Sequence, residues 1–291
     1  MITVQFSNKR DCDHLYRCIH KHLLHVSGIR VIRGKGDRLL ISSEEDLSVF
    51  RSVAQPLLAQ VFTAYIIAAY EKKWILECLE TKFYYSDPEE KNAIVSITCA
   101  IMDGQKPELP QVDQLPSRDE LIETAILSLL REKGNHFVFN FDSFLKFRLK
   151  AYRECLTSYV EMAIDEYKFE QDYQSFVNHL RAFVNRKKPV VKNVHILYDQ
   201  KPVFYDGDLC LIHDEKIAKA IKASGFLSVN TIIESSLLQP LLALAPSRVF
   251  CYTLSDESGL FYTLKNIFQE RLTFHSLEEF PFFRDSYTRR T

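Results

Sequence analysis

"DSFLKFRLKAYRECLTSYVEMAIDEYKFEQDYQSFVNHLRAFVN", residues 142–185, is the longest helical pattern in the chain. Leu145, Leu149, Tyr152, Leu156, Tyr159 and Ala163 alternate steps of four and three, the spacing of one apolar stripe. As a single helix it would reach ~66 Å at 1.5 Å of rise per residue, longer than a compact domain needs. The polar run "EYKFEQDYQ" (166–174) offers a place to break it. The spacing therefore predicts two antiparallel helices with a turn in that run.

Outward from this stretch, the periodicity changes on both sides. Toward the N-terminus, "MITVQF" alternates like a half-buried strand, and a helix is expected over 11–26 with Asp11 or Asp13 as N-cap and Gly28 as stop. "IRVIRGKGDRLLIS" reads as a hairpin, which makes residues 1–42 a βαββ unit. Residues 45–102 are helical in pattern, and "DGQKPELPQVDQLP" (103–116), with three prolines, is the linker candidate. Ser117 and Glu120 then stand as a capping box before an apolar run. Beyond "NRKKP", the runs "VHILYD", "PVFY", "LCLI", "RVFCYT" and "RLTFH" are strand-like, with helices expected near 214–223, 231–244 and in "SGLFYTLKNIF".

The fold class is α+β, a helix-rich middle flanked by small sheet-forming ends. The domain reading is 1–102, a linker at 103–116, and 117–291 as helical hairpin followed by an α+β segment. Whether the two ends share one sheet is left open by the pattern.

The bulk composition is that of a soluble globular protein: 46% hydrophobic, 26% charged, formal net charge −1. Near-neutrality supplies no global pull toward nucleic acid or anionic membrane, so any such binding needs a local patch. The most apolar run, "LLAQVFTAYIIAA" (57–69), is shorter than the ~20 residues a spanning helix needs and reads as a core helix, not a membrane insertion. Seven cysteines, mostly single within apolar surroundings, suit reduced thiols in the cytoplasm.

Two blocks carry a resemblance. "FDSFLKFRLKAY" with "MAIDEYKFEQDYQSFVNHLRAFV", and farther on "SLLQPLLALAPSRVFCY" with "LKNIFQERLTF", resemble the YtxC-like family linked with sporulation in endospore-forming bacteria. The resemblance covers residues 117–275 and implies a cytoplasmic protein connected with sporulation. It implies no catalytic or binding residue. Family members often end in a cysteine-containing stretch, whereas "FHSLEEFPFF" here has none.

The chemically suggestive stretch is "CDHLYRCIHKHLLH" (12–25). On a helix, His14, Cys18, His22 and His25 fall along one stripe, beside the apolar Leu15, Ile19, Leu23 and Val26. His14 and His25 would lie ~16 Å apart along the axis, too far to share an ion. At most the pair Cys18 and His22 could ligate, and a structural zinc would need two further ligands. The reading is no metal and no cofactor. "RGKGDR" (33–38) and "YDGDL" (205–209) sit between strand-like runs and read as turns, the latter as a type I′ turn, rather than as phosphate loops. There is no "GxSxG" and no "HExxH". The sequence leans away from an enzyme, although a triad assembled from distant residues leaves no local signature.

Charge along 142–192 is zoned. Lys146, Arg148, Lys150 and Arg153 open it, acids occupy the middle, and Arg181, Arg186, Lys187, Lys188 and Lys192 close it. In the expected hairpin, the two basic groups would meet as one patch for an anionic partner. The favoured function is non-catalytic interaction with a protein. The alternatives are nucleic-acid association through that patch and an enzyme whose site is not visible in sequence. Oligomeric state is not legible.

Overall fold

The computed structural model describes residues 1–23, 29–43, 50–109, 115–132, 137–225, 236–254 and 259–281. The chain divides into two compact units, Met1–Phe169 and Glu170–Thr291, each built on its own four-stranded mixed sheet. The class is α+β, and the N- and C-terminal strands belong to separate sheets.

The first unit opens with β1 (Ile2–Gln5), α1 (Lys9–Leu23), β2 (Ile29–Gly34) and β3 (Arg38–Ser43). The three-residue turn between β2 and β3 (Lys35, Gly36, Asp37) has Gly36 at φ 72° and Asp37 at φ 52°, the left-handed region that glycine and aspartate enter at least cost. Helix α1 is capped by Asn8, whose Oδ1 accepts from the Arg10 amide at 2.8 Å, and not by Asp11 or Asp13. Leu15 and Ile19 are fully buried, as the apolar stripe required. Leu23's side chain, Val26, His25 and Gly28 lie outside the described residues.

Next come α2 (Phe50–Thr81), α3 (Pro88–Met102) and α4 (Arg118–Glu132). By length and composition α2 could cross a membrane, yet Leu58, Ala59, Phe62, Tyr65 and Ile66 are buried in this unit's own core. A π-helical turn, Phe50–Ala54, opens α2, and a second, Ile67–Glu71, interrupts it. Of the expected linker, residues 110–114 are outside the described residues. A strand that the periodicity did not reveal, β4 (Phe137–Asn140), pairs parallel with β1 and completes the order β2-β3-β1-β4. It leads directly into α5 (Phe141–Phe147), capped by the Asn140 side chain on Ser143 N.

The expected helical hairpin does not form. Residues Lys150–Arg186 are one helix, α6, with no turn at 166–174. Its first half is buried in the first core through Tyr152, Leu156, Tyr159 and Ala163, and its second half in the other core through Val177, Leu180 and Val184. Between them Lys168, Phe169, Glu170, Gln171 and Asp172 are all exposed. Glu, Lys and Gln are good helix formers, so this exposed turn stays helical although it buries no apolar face, Phe169 included. Polarity marked the passage from one core to the next.

The second unit adds β5 (Asn193–Tyr198), β6 (Pro202–Tyr205), α7 (Asp214–Ser224), α8 (Leu238–Leu244), β7 (Arg248–Thr253), α9 (Gly259–Phe268) and β8 (Leu272–Ser276). The order is β6-β5-β7-β8, with β5, β7 and β8 mutually parallel. "LCLI" is not a strand, and retains only an isolated bridge between Tyr205 and Leu211. Nor is the preceding turn type I′. The Asp206 carboxylate accepts from Asp208 N at 3.1 Å and Cys210 N at 2.9 Å, and the left-handed residue is Leu209 (φ 59°) rather than Gly207. An acid that satisfies two loop amides replaces the glycine geometry.

Candidate functional site

The histidine-rich helix comes first. Cys18 is half-buried against the core, while His14, His20 and His22 are exposed along α1. His14 lies with its ring centroid 5.1 Å from that of Tyr65. Among the described residues, no group of three or more His, Cys, Asp and Glu side chains is placed to hold a metal ion.

What α1 contributes instead is Asp11. Tyr65 donates its hydroxyl to Asp11 Oδ1 at 2.6 Å, and Tyr70 donates to Oδ2. One residue on, at the end of the second π turn, Glu71 is also buried. It accepts from Tyr152 at 2.6 Å and pairs with Arg118 Nη1 at 3.2 Å, while Arg118 Nη2 reaches Asp103 at 3.0 Å. The π turn is what sets Tyr70 and Glu71 inward in succession. Burial pushes the Glu71 carboxyl above its usual range, opposed by the Tyr152 hydroxyl and Arg118. Burial also raises Tyr65, Tyr70 and Tyr152, reinforced by the carboxylates to which they donate. The sequence carried one signal: Asp11 stands four residues before Leu15 and eight before Ile19, on the core-facing stripe of α1. These groups are saturated with partners, which makes them a structural network.

The open chemistry of this unit lies in a cleft of about 250 Å³. One wall is the end of α2, with Trp74, Glu77, Cys78 and Thr81, and Lys82 follows. The other is Lys146 of α5 with Lys150, Arg153, Glu154, Leu156 and Thr157 of α6. Arg153 lies over the Trp74 ring at 5.5 Å and bonds Glu77 at 3.0 Å. Lys150 and Glu154 pair at 3.7 Å with side chains 80% and 65% exposed. Exposed pairs of this kind contribute ~0.2–1 kcal/mol, so a stronger anionic ligand can displace their carboxylates.

Three of the nine basic residues singled out in the sequence, Lys146, Lys150 and Arg153, therefore share this cleft. Arg148 points elsewhere, into a hollow of about 410 Å³ beside Pro116, Glu120, Ser128 and Tyr152. In the second unit, Arg181 donates through Nε and Nη2 to the Asn266 carbonyl, at 3.2 and 2.6 Å. Lys187 donates to the Ala243 carbonyl at 2.5 Å. Both cations serve the carbonyl ends of α9 and α8, where positive charge opposes the helix dipole. Burial lowers the Lys187 ammonium below its ordinary value. Arg186, Lys188 and Lys192 are exposed. Because α6 is unbroken, the two basic groups are not joined by a hairpin. Lys82, distant in sequence, is the cleft residue that the charge zoning missed.

The second unit also gathers two histidines that are isolated in sequence. His195 pairs in register with Phe250, and Tyr252 with His275. The His195 ring stacks on Phe250 at 4.6 Å and its Nδ1 lies 3.2 Å from the Tyr252 hydroxyl; His275 Nδ1 lies 2.9 Å from Glu279. Burial, and then His275, lower the His195 pKa, against a rise from Asp206.

The YtxC-like family model matches residues 56–273. The chain belongs to the YtxC-like family. It is 31% identical over 226 residues, 78% of this chain and 79% of the relative, to the uncharacterized protein YtxC of Bacillus subtilis (strain 168). No solved structure matches. The YtxC-like match begins inside α2 and takes in the cleft from Trp74 to Thr157, whereas Asp11, Cys18 and His22 precede it.

Proposed function

We propose that this YtxC-like protein acts by binding rather than catalysis, and that its cleft receives an acidic segment of another protein in the cytoplasm of sporulating cells. One observation carries the reading. Lys82, Lys146, Lys150 and Arg153 surround one cleft that holds two carboxylates, Glu77 and Glu154, leaving an excess of two positive charges (four minus two). Low-dielectric walls such as Trp74 and Leu156 focus that charge on an incoming anion. The link with sporulation rests on the family resemblance, and the cytoplasmic assignment on single cysteines in apolar surroundings.

Trp74 is the single tryptophan of the chain and lines the cleft, so its fluorescence reports occupancy. Titration with a glutamate-rich peptide is expected to give a saturable change that weakens with added salt. A Trp74 signal that stays flat through millimolar peptide at low salt would sink the proposal. The sporulation link is checked by counting heat-resistant spores after deletion of the gene, where wild-type counts would remove it.

A further inference from the structure

The proposed anion site can be narrowed by asking which of its cations are already neutralised. Arg153 has Glu77 at 3.0 Å, and Lys150 has Glu154 at 3.7 Å. Lys82 has no such partner: its Nζ donates to Thr157 Oγ1 at 3.0 Å, and that hydroxyl donates its own proton to the Arg153 carbonyl at 2.9 Å. Thr157 thus gives Lys82 a lone pair and no charge. Lys146 Nζ stands 5.6 Å from the centroid of the Phe147 ring, likewise without a counter-charge. Among the described residues, two ammonium groups therefore face one cleft with no carboxylate at ion-pair distance.

A side-chain carboxylate brings one charge and two acceptor oxygens. A phosphate monoester brings between about 1.5 and 2 negative charges and three strong acceptor oxygens in one compact group. That matches two lysines that line one cleft, Lys82 just beyond the end of α2 and Lys146 on α5, each with free donor hydrogens. Trp74 and Leu156 supply apolar wall for the organic part of an ester, and a cleft of about 250 Å³ admits a phosphorylated side chain rather than a nucleic-acid duplex.

Resting on the reading of this cleft as an anion site, we propose that it is a phosphate-monoester site. Lys82 and Lys146 hold the dianion, and Arg153 and Lys150 turn toward it as their exposed pairs with Glu77 and Glu154 open.

The test is Trp74 fluorescence of the full chain titrated with three probes. These are a short neutral peptide with one phosphoserine, the same peptide with Glu-Glu at that place, and inorganic phosphate. The phosphopeptide is expected to bind about tenfold tighter than the Glu-Glu peptide, although their charges are similar. Lys82→Met and Lys146→Met, at exposed positions that leave the fold intact, should each weaken the phosphopeptide by about tenfold. Inorganic phosphate that competes supports recognition of the phosphoryl group itself; competition by the phosphopeptide alone supports a phosphorylated protein as the source. Equal affinity for the phosphoserine and Glu-Glu peptides overturns the phosphate site and leaves the acidic-partner reading standing. No response to any probe overturns both.

Discussion

The Tyr152 hydroxyl donates to Glu71 Oε2 at 2.6 Å across 81 residues of sequence, and it is the neutral half of what makes that buried carboxylate tolerable. Arg118 Nη1, at 3.2 Å on the other oxygen, is the charged half. With its pKa raised by burial, Glu71 in the folded state holds its proton longer than in the unfolded chain. Folding stability therefore falls as pH rises from its ordinary value of 4.5 through the raised one, and is level above it. Tyr152→Phe removes a donor that lowers this pKa, so the window extends upward. The variant is expected to lose about 1–3 kcal/mol at pH 7 and less at pH 4, read from urea unfolding at both. An equal loss at the two pH values would show that the hydroxyl does not stabilise the ionised form.

Alkali should act through the same network. Tyr65, Tyr70 and Tyr152 all have pKa values raised above the usual 10.0 by burial and then by Asp11 or Glu71. Their contribution is intact below pH ~10 and lost as pH climbs past it, because only the unfolded chain releases these protons readily. Absorbance at 295 nm is expected to show these phenols ionising together with loss of helical circular dichroism. Ionisation of all tyrosines before any unfolding contradicts this.

The cations of the second unit have a different task. Arg181→Ala deletes two bonds to the Asn266 carbonyl, and is expected to destabilise by about 1–3 kcal/mol while leaving the Trp74 titration unchanged. A shifted peptide affinity with unchanged thermal stability would reverse the assignment.

How far the sequence was legible follows from where local pattern decides structure. MITVQF alternates on β1, and Leu15 with Ile19 are buried on α1, because a one-sided core imposes its period on the residues. The four residues of β4 were too few to show a period, and their pairing with β1 is a long-range fact. "EYKFEQDYQ" looks like a break because it carries no apolar stripe, yet an exposed helix turn needs none. The nine-residue patch depends on a turn at that run, and of its members Lys146, Lys150 and Arg153 share one cleft. The real cleft joins part of one group to Lys82, and only the packing of α2 against α6 brings them together.

Duplex DNA binding follows from this arrangement. In the second basic group Arg181 and Lys187 donate to backbone carbonyls. In the first only Lys146, Lys150 and Arg153 share a cleft, two of them beside carboxylates, so neither group by itself offers an extended phosphate-binding surface. Binding at physiological salt is expected to be weak, and Arg186→Gln with Lys187→Gln and Lys188→Gln should hardly change its salt slope. A slope reduced by roughly 0.9 for each DNA phosphate no longer neutralised would restore the nucleic-acid reading.

Strand β1 lies inside its sheet, between β3 and β4, so Val4 is flanked by Leu39 on one side and Phe139 on the other. Strand β1 thus leaves the ribosome well before β4 and waits for it. At about 5–20 residues per second, roughly 7–27 s of synthesis separate the two. Nascent chains stopped before Phe137 should accordingly be stickier toward holdase chaperones than chains carried past Asn140, and equal capture of both would contradict it. An unpaired flank of apolar strand is a template for the wrong neighbour. For this chain the pace of translation sets how long that template stays open.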